Sequence, residues 1–316
     1  MNIVFTVCNR TQLPNALALG TALLRYHPDC VFYIGWVDTS PLPAVPKGFK
    51  VISVEKLQIA EWGEMCARYY DFELVAAARP WFAKGILKAN PDCRLLTFLS
   101  PATMLYDSLH EIDDPDTEFF LTPHITGPLA ASSNLDDKRI LNIGMFHAGS
   151  WILRPGETTH KVLEWWSHRT LDRAKFDLCN GMCMDQLWLN YVPVWVEKTT
   201  RISHPGWFYG LHNVLNKTLS EKNGRFSVEN EKLISADFSG LMHFDPVWSD
   251  HTGLLNGNAA FKKLYSAYVE TVRTFDKKSP DTIPGFGMIP KISNQRLLRK
   301  NITGRLKAIT EYIDRY

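Results

Sequence analysis

The chain has 316 residues, 45% hydrophobic and 22% charged, with a net charge of +2; that length suits one large α/β domain with an extension or two small domains, with enough apolar content for an ordinary core. So small an excess of positive charge favours no polyanionic partner, and with no basic stripe outside the last helix the composition argues against nucleic-acid binding. No apolar run approaches a membrane span, no charged-then-apolar leader precedes the first strand, and the six scattered cysteines (Cys8, Cys30, Cys66, Cys93, Cys179 and Cys183) read as reduced thiols, so the expectation is a cytoplasmic protein.

Residues 2–8 (NIVFTVC) read as a buried strand, Asn9-Arg10-Thr11 as loop and helix cap, and ALALGTALLRYH as a helix reaching about Tyr26. After Pro28-Asp29, residues 31–37 form a second strand ending at Asp38. Strand, helix, strand is a β-α-β unit, which predicts a parallel sheet with a right-handed crossover. Asn9 and Asp38 then meet at the C-terminal edge of that sheet, where such folds bind ligands. Residues 39–48 are proline-rich loop and 50–54 a third strand. Residues 60–78 read as one helix carrying Tyr69 and Glu73, and Arg79-Pro80 opens another, 81–89, with proline in the first turn.

LLTFLSPATMLY comes next: a buried strand, 95–99, broken at Ser100-Pro101 and resumed at Thr103. Residues 119–122 are a strand leading into a loop with His124; 132–141 are loop and a short helix; 142–154 (NIGMFHAGSWILR) are strand. An amphipathic helix, 156–171, carries Trp165-Trp166, and 184–191 read as a helix bearing Asp185 and Gln186. Residues 194–196 and 201–203 look like short strands, His204 to Asn213 a long loop, and 225–228 with 233–236 a hairpin. A helix at 261–275 closes a domain of residues 1–276; 277–290 are a linker rich in Pro, Gly and Lys, and 293–316 a basic terminal helix with Arg296, Arg299, Lys300, Arg305 and Lys307.

The order of these features resembles the GT-A glycosyltransferases, in particular bacterial proteins similar to the family 8 (glycogenin and galactosyltransferase-like) group. FLSPATMLY is similar to that family's YLDxDxxVY segment, GMFHAGSWILR to its YNxGFxxLR strand, and Met184-Asp185-Gln186-Leu187-Trp188 to VDQxW. HPGWFYGLHN resembles HPGYNxxYWN, and ADFSG resembles FHFSG. The resemblance spans roughly residues 2–268. It implies an α/β fold of GT-A type and transfer of a sugar from a nucleotide-sugar donor to a glycan, lipid-linked or protein acceptor.

In that family the DxD aspartates and the HFSG histidine hold a divalent metal against the donor diphosphate, since bond cleavage leaves negative charge on the leaving phosphate. Here those positions read Ser100, Ala102 and Asp237. A methyl cannot ligate, a neutral hydroxyl ligates poorly, and one carboxylate makes a weak site for a hard cation. The expectation is a metal-independent enzyme without a cofactor, with His243 a weak substitute ligand. The rival reading is an inactive relative that binds a glycan or a partner enzyme.

By the same resemblance Asp185 binds donor-sugar hydroxyls or orients the acceptor, and Gln186 sits near the anomeric carbon. Thr6, Asn9 and Asp38 touch base and ribose, although Asn9 also suits a helix cap. Arg79 takes over phosphate binding, since a guanidinium needs no metal; its other reading is an ion pair. His147 either contacts substrate or satisfies a backbone group. Trp207, Tyr209, His212 and Asn213 form the acceptor side, where aromatic faces suit sugar rings. The basic terminal helix is a solvated face, a contact for anionic lipid headgroups at the inner face of the membrane, or a tail folding over the nucleotide.

Overall fold

The structure is a computed structural model describing residues 1–112, 114–129, 137–214, 216–241, 255, 257–276 and 284–289, with 302, 305, 306, 309, 312 and 313. His243 and most of the basic terminal helix lie outside the described residues. In chain order the elements are β1 (Asn2–Cys8), α1 (Leu13–Tyr26), β2 (Val31–Trp36), β3 (Phe49–Ser53), α2 (Trp62–Arg68), α3 (Asp71–Ala89), β4 (Leu95–Leu99), β5 (Thr103–Leu105) and β6 (Phe119–Pro123). Next come α4 (Asp137–Ile143), β7 (Phe146–Leu153), α5 (Glu157–Thr170), β8 (Phe176–Asp177), β9 (Met182–Cys183), α6 (Val192–Trp195) and β10 (Thr199–Arg201). The last are β11 (Leu219–Lys222), β12 (Arg225–Val228), β13 (Glu231–Lys232), β14 (Ser235–Asp237) and α7 (Ala259–Phe275).

Seven strands form one sheet in the order β10-β6-β7-β4-β1-β2-β3. The expected α/β sheet is present, and its β1, β2, β3 and β4 are parallel. They read as near-continuous apolar runs because helices cover both faces. One face packs on α3 and α5 through Phe5, Phe82, Phe98, Trp151 and Trp166. The other packs on α1 through Leu19, Leu23, Phe32 and Ile34. Strand β7 alone runs against its neighbours β4 and β6. That reversal carries the N-terminal end of β7 to the edge where β1, β2, β4 and β6 end.

Several local expectations are corrected. The helix break falls at Tyr69-Tyr70, and α3 runs unbroken through Pro80. Glu73 reaches back to accept the Tyr70 amide at 2.9 Å, a side chain in the first turn satisfying an amide that the helix leaves open. Asp185 and Gln186 are not helical: Met184 takes a left-handed φ of 48° and a short 3₁₀ turn, Leu187–Tyr191, follows. The β-branched residues near Val194 sit in the one-turn helix α6 rather than a strand, with Pro193 at a position where a missing amide costs nothing. The hairpin partner of β12 is β11, while β14 pairs instead with β5, placing Asp237 opposite Thr103.

Residues 284–289, a linker by composition, lie as a strap across the α2–α3 break. Met288 donates to the Tyr69 carbonyl at 2.7 Å and accepts from the Asp71 amide at 3.0 Å. Phe286 stands edge-on to Trp62 at 5.4 Å. Gly287 has a φ of 84°, and a side chain there would strike the backbone of Asp71.

Candidate functional site

The C-terminal edge of the sheet collects most of the expected residues. Asp38, at the end of β2, accepts from the Arg10 amide at 3.0 Å and from Arg10 Nε at 2.9 Å, and from the Ser40 amide at 3.0 Å. Burial pushes this carboxyl up, but Arg10 and the two amides outweigh it and hold Asp38 below the usual carboxylate range. Asn9 Oδ1 accepts from the Thr11 amide at 3.0 Å and the Thr11 hydroxyl at 2.6 Å, a local cap. Thr6 is wholly buried, and its hydroxyl has no hydrogen-bond partner among the described residues. Arg10, which the sequence reading passed over, is thus the residue that organises this corner.

At the centre lies Arg79, on the sheet-facing side of α3. It donates to Asp185 at 3.0 and 3.3 Å and stacks over Phe98 at 5.1 Å. The Asp185 side chain is 0% exposed and that of Arg79 15%. Burial pushes Asp185 up to about 6 while Arg79 opposes it. Trp166 pins the Asp185 backbone through its indole N–H at 2.9 Å. Arg79 is therefore the ion-pair partner of Asp185, and its Nε is buried without a partner among the described residues. Gln186 is used internally: its oxygen accepts the Ala148 amide at 3.1 Å and its nitrogen donates to the Ile143 carbonyl at 2.8 Å.

Ser100, Ala102 and Asp237 do come together. The Ser100 amide donates to Gly149 O at 2.7 Å, the Phe238 amide to Ala102 O at 3.0 Å, and Ser100 Oγ accepts the Ala102 amide at 3.3 Å. Asp237 is nearly buried and accepts the Ser239 hydroxyl at 2.8 Å. Burial pushes it up to about 6, against Ser239 donors and the Arg79 charge. One carboxylate, one hydroxyl already accepting an amide, and one methyl do not fit a divalent cation.

Three imidazoles meet here. His124 lies 4.8 Å from His147 and 4.7 Å from His212, ring centre to ring centre. His147 stands at the start of β7 because that strand is reversed. Its Nδ1 accepts the Gly149 amide at 2.9 Å, so the neutral ring carries its proton on Nε2, 3.6 Å from Asp237 Oδ2. Burial, then His212 and Arg79, push His147 down to about 3.

Two aromatic residues of the expected acceptor side are buried. Trp207 is 3% and Tyr209 0% exposed. The Trp207 indole N–H bonds Thr122 Oγ1 at 2.9 Å, and the Tyr209 ring packs edge-on against Phe261 at 5.5 Å. Their faces are covered, so they shape the loop rather than offer a stacking surface. Asn213 Oδ1 accepts the Gly210 amide at 3.0 Å and closes the same loop.

No family model matches the chain. It is 28% identical over 248 residues to the protein YfnF of Bacillus subtilis (strain 168), itself described as uncharacterized, covering 74% of this chain and 80% of that one. Among solved structures it is similar to the galactosyltransferase LgtC in complex with donor and acceptor sugar analogs, with a TM-score of 0.49 and 12% identity over 89% of this chain and 98% of that one. It is also similar to a glycosyltransferase involved in glycosylation of the major capsid of PBCV-1, with a TM-score of 0.44 and 7% identity over 87% of this chain and 99% of that one.

Proposed function

We propose that this chain is a glycosyltransferase of GT-A type that moves a sugar from a nucleotide-sugar donor to a glycan, lipid-linked or protein acceptor without a divalent cation. The observation that carries the reading is the buried Arg79–Asp185 pair, set at the strand-end edge beside Asp237 and His147 and inside a series of motifs that follow the family order. Sugar transfer leaves negative charge on the departing phosphate. Arg79 is a fixed cation in a dry setting, where its field is least screened. Asp185, held by Arg79 and Trp166, orients a sugar hydroxyl. The corner of Thr6, Asn9 and Asp38 receives base and ribose. The protein works in the cytoplasm, with its basic C-terminal segment against the inner face of the membrane.

One observation favours an inactive relative instead: Arg79 and Gln186 spend their hydrogen bonds inside the protein. A thermal-shift panel of nucleotide sugars separates the readings. The expected result is a stabilisation by one donor in EDTA as large as in Mn²⁺. No shift in either condition sinks the transferase reading; a shift only with Mn²⁺ sinks the metal-free part.

A further inference from the structure

Residues 191–196 read Tyr-Val-Pro-Val-Trp-Val, six in a row with no charged or amide side chain. Val192 and Val196 are buried in the core, while Tyr191, Pro193, Val194 and Trp195 face solvent. Val194 is 76% exposed, Tyr191 47% and Trp195 44%. The rings do not fold inward, because Trp165 braces them edge-on at 5.6 Å from Tyr191 and 4.5 Å from Trp195. Tyr191 and Trp195 themselves stack at 5.2 Å. The result is a rigid aromatic shoulder with an aliphatic tip, held out in water by α6.

We propose that this segment is a membrane-docking wedge that seats the protein on an anionic lipid surface. Aliphatic side chains gain by entering the acyl boundary, and Tyr and Trp rings settle at headgroup depth with their polar atoms wet. Cations border the wedge. The Arg169 guanidinium lies 5.5 Å from the Trp165 ring. Lys198 and Arg201 are exposed just beyond it, against Glu197 as the one acidic residue in 191–201. Each cation near an anionic leaflet strengthens association by about fivefold. A second copy of the chain is the weaker occupant. A stable protein interface takes about 20–30 residues a side, and a wedge of four exposed residues falls well short of that. No helix among the described residues is long and apolar enough to cross a membrane, so the contact is with the surface.

This inference stands apart from the transferase reading, but the two would combine usefully. The 3₁₀ turn Leu187–Tyr191 links Gln186 to the wedge along the chain.

The test is sedimentation of the full chain with vesicles of phosphatidylcholine and phosphatidylglycerol, for wild type and Val194→Glu. Val194 is three-quarters exposed, so the melting temperature should not move. Loss of the lipid-inserted valine and addition of a carboxylate should weaken vesicle binding by about tenfold or more, while Val194→Leu binds at least as well as wild type. The basic C-terminal segment is present in every variant and cannot account for a difference. The proposal is overturned if wild type does not bind vesicles or Val194→Glu binds them equally well. It is also overturned if wild type is a dimer that Val194→Glu splits, which would assign the wedge to a second copy.

Discussion

Replacing Arg79 with methionine tests the centre of the site without leaving a cavity. Asp185 has no exposed side-chain surface and already stands near pH 6 because of burial. A rise of about 2 in pKa means its charge costs about 3 kcal/mol above that pH, even with Arg79 present. Wild type ionises Asp185 above about pH 6 and the variant does not, so at about 1.4 kcal/mol per pH unit the loss at pH 8 reaches up to about 3 kcal/mol, a fall in Tm of up to roughly 6–12 °C at about 2–4 °C per kcal/mol. The direction with pH follows from the raised pKa. Stability from a carboxyl shifted upward is full below its ordinary pKa and is lost as pH rises through the shifted value. Without Arg79 that value climbs further, so the gap between wild type and Arg79→Met should be small at pH 5 and widest at pH 8. Adding Asp185→Asn should restore most of the loss. Calorimetry at both pH values is the assay; a loss under about 1 kcal/mol at pH 8, or a gap indifferent to pH, would refute the ion-pair account.

Three further outcomes are expected. Glu73→Ala strips the amides of Tyr70 and Phe176 of their shared acceptor and should cost about 2–4 kcal/mol in urea unfolding, with Glu73→Gln milder. Gly206→Ala puts a methyl into the Lys232 carbonyl; the loop ahead of Asn213 must move, and a loss above about 2 kcal/mol is expected by the same method. Asp38→Asn breaks the grip on Arg10. Since the Asp38 pKa is lowered, its stabilisation is present above the ordinary carboxylate pKa and lost as pH falls through the lowered one, so the Tm gap to wild type should close in acid.

The parallel strands, α1 and α7 were legible because uninterrupted apolar runs and helical spacing are local signals. What failed was settled at a distance. Proline was read as a helix start because it suits first turns, yet Glu73 and the strap set the real start nine residues earlier. Val194 and Val196 have β-branched shapes, but no strand edge is there for them. Strand β14 found β5, about 130 residues back, a pairing no local pattern encodes. The site followed the same division. Motif order brought Asp185, Arg79, His147 and Asp237 to one edge, whereas the direction of β7, the role of Arg10 and the burial of Trp207 and Tyr209 depend on contacts between elements.

The strap bears on where this domain can be cut. Ending the chain after α7, the boundary that composition suggests, would leave the Tyr69 carbonyl and Asp71 amide without partners at the start of the helix that carries Arg79. It would also strip the cover from Trp62. A shortened protein that keeps residues up to 289 should behave as the intact fold does, and one that stops at 276 should expose that helix start to proteases.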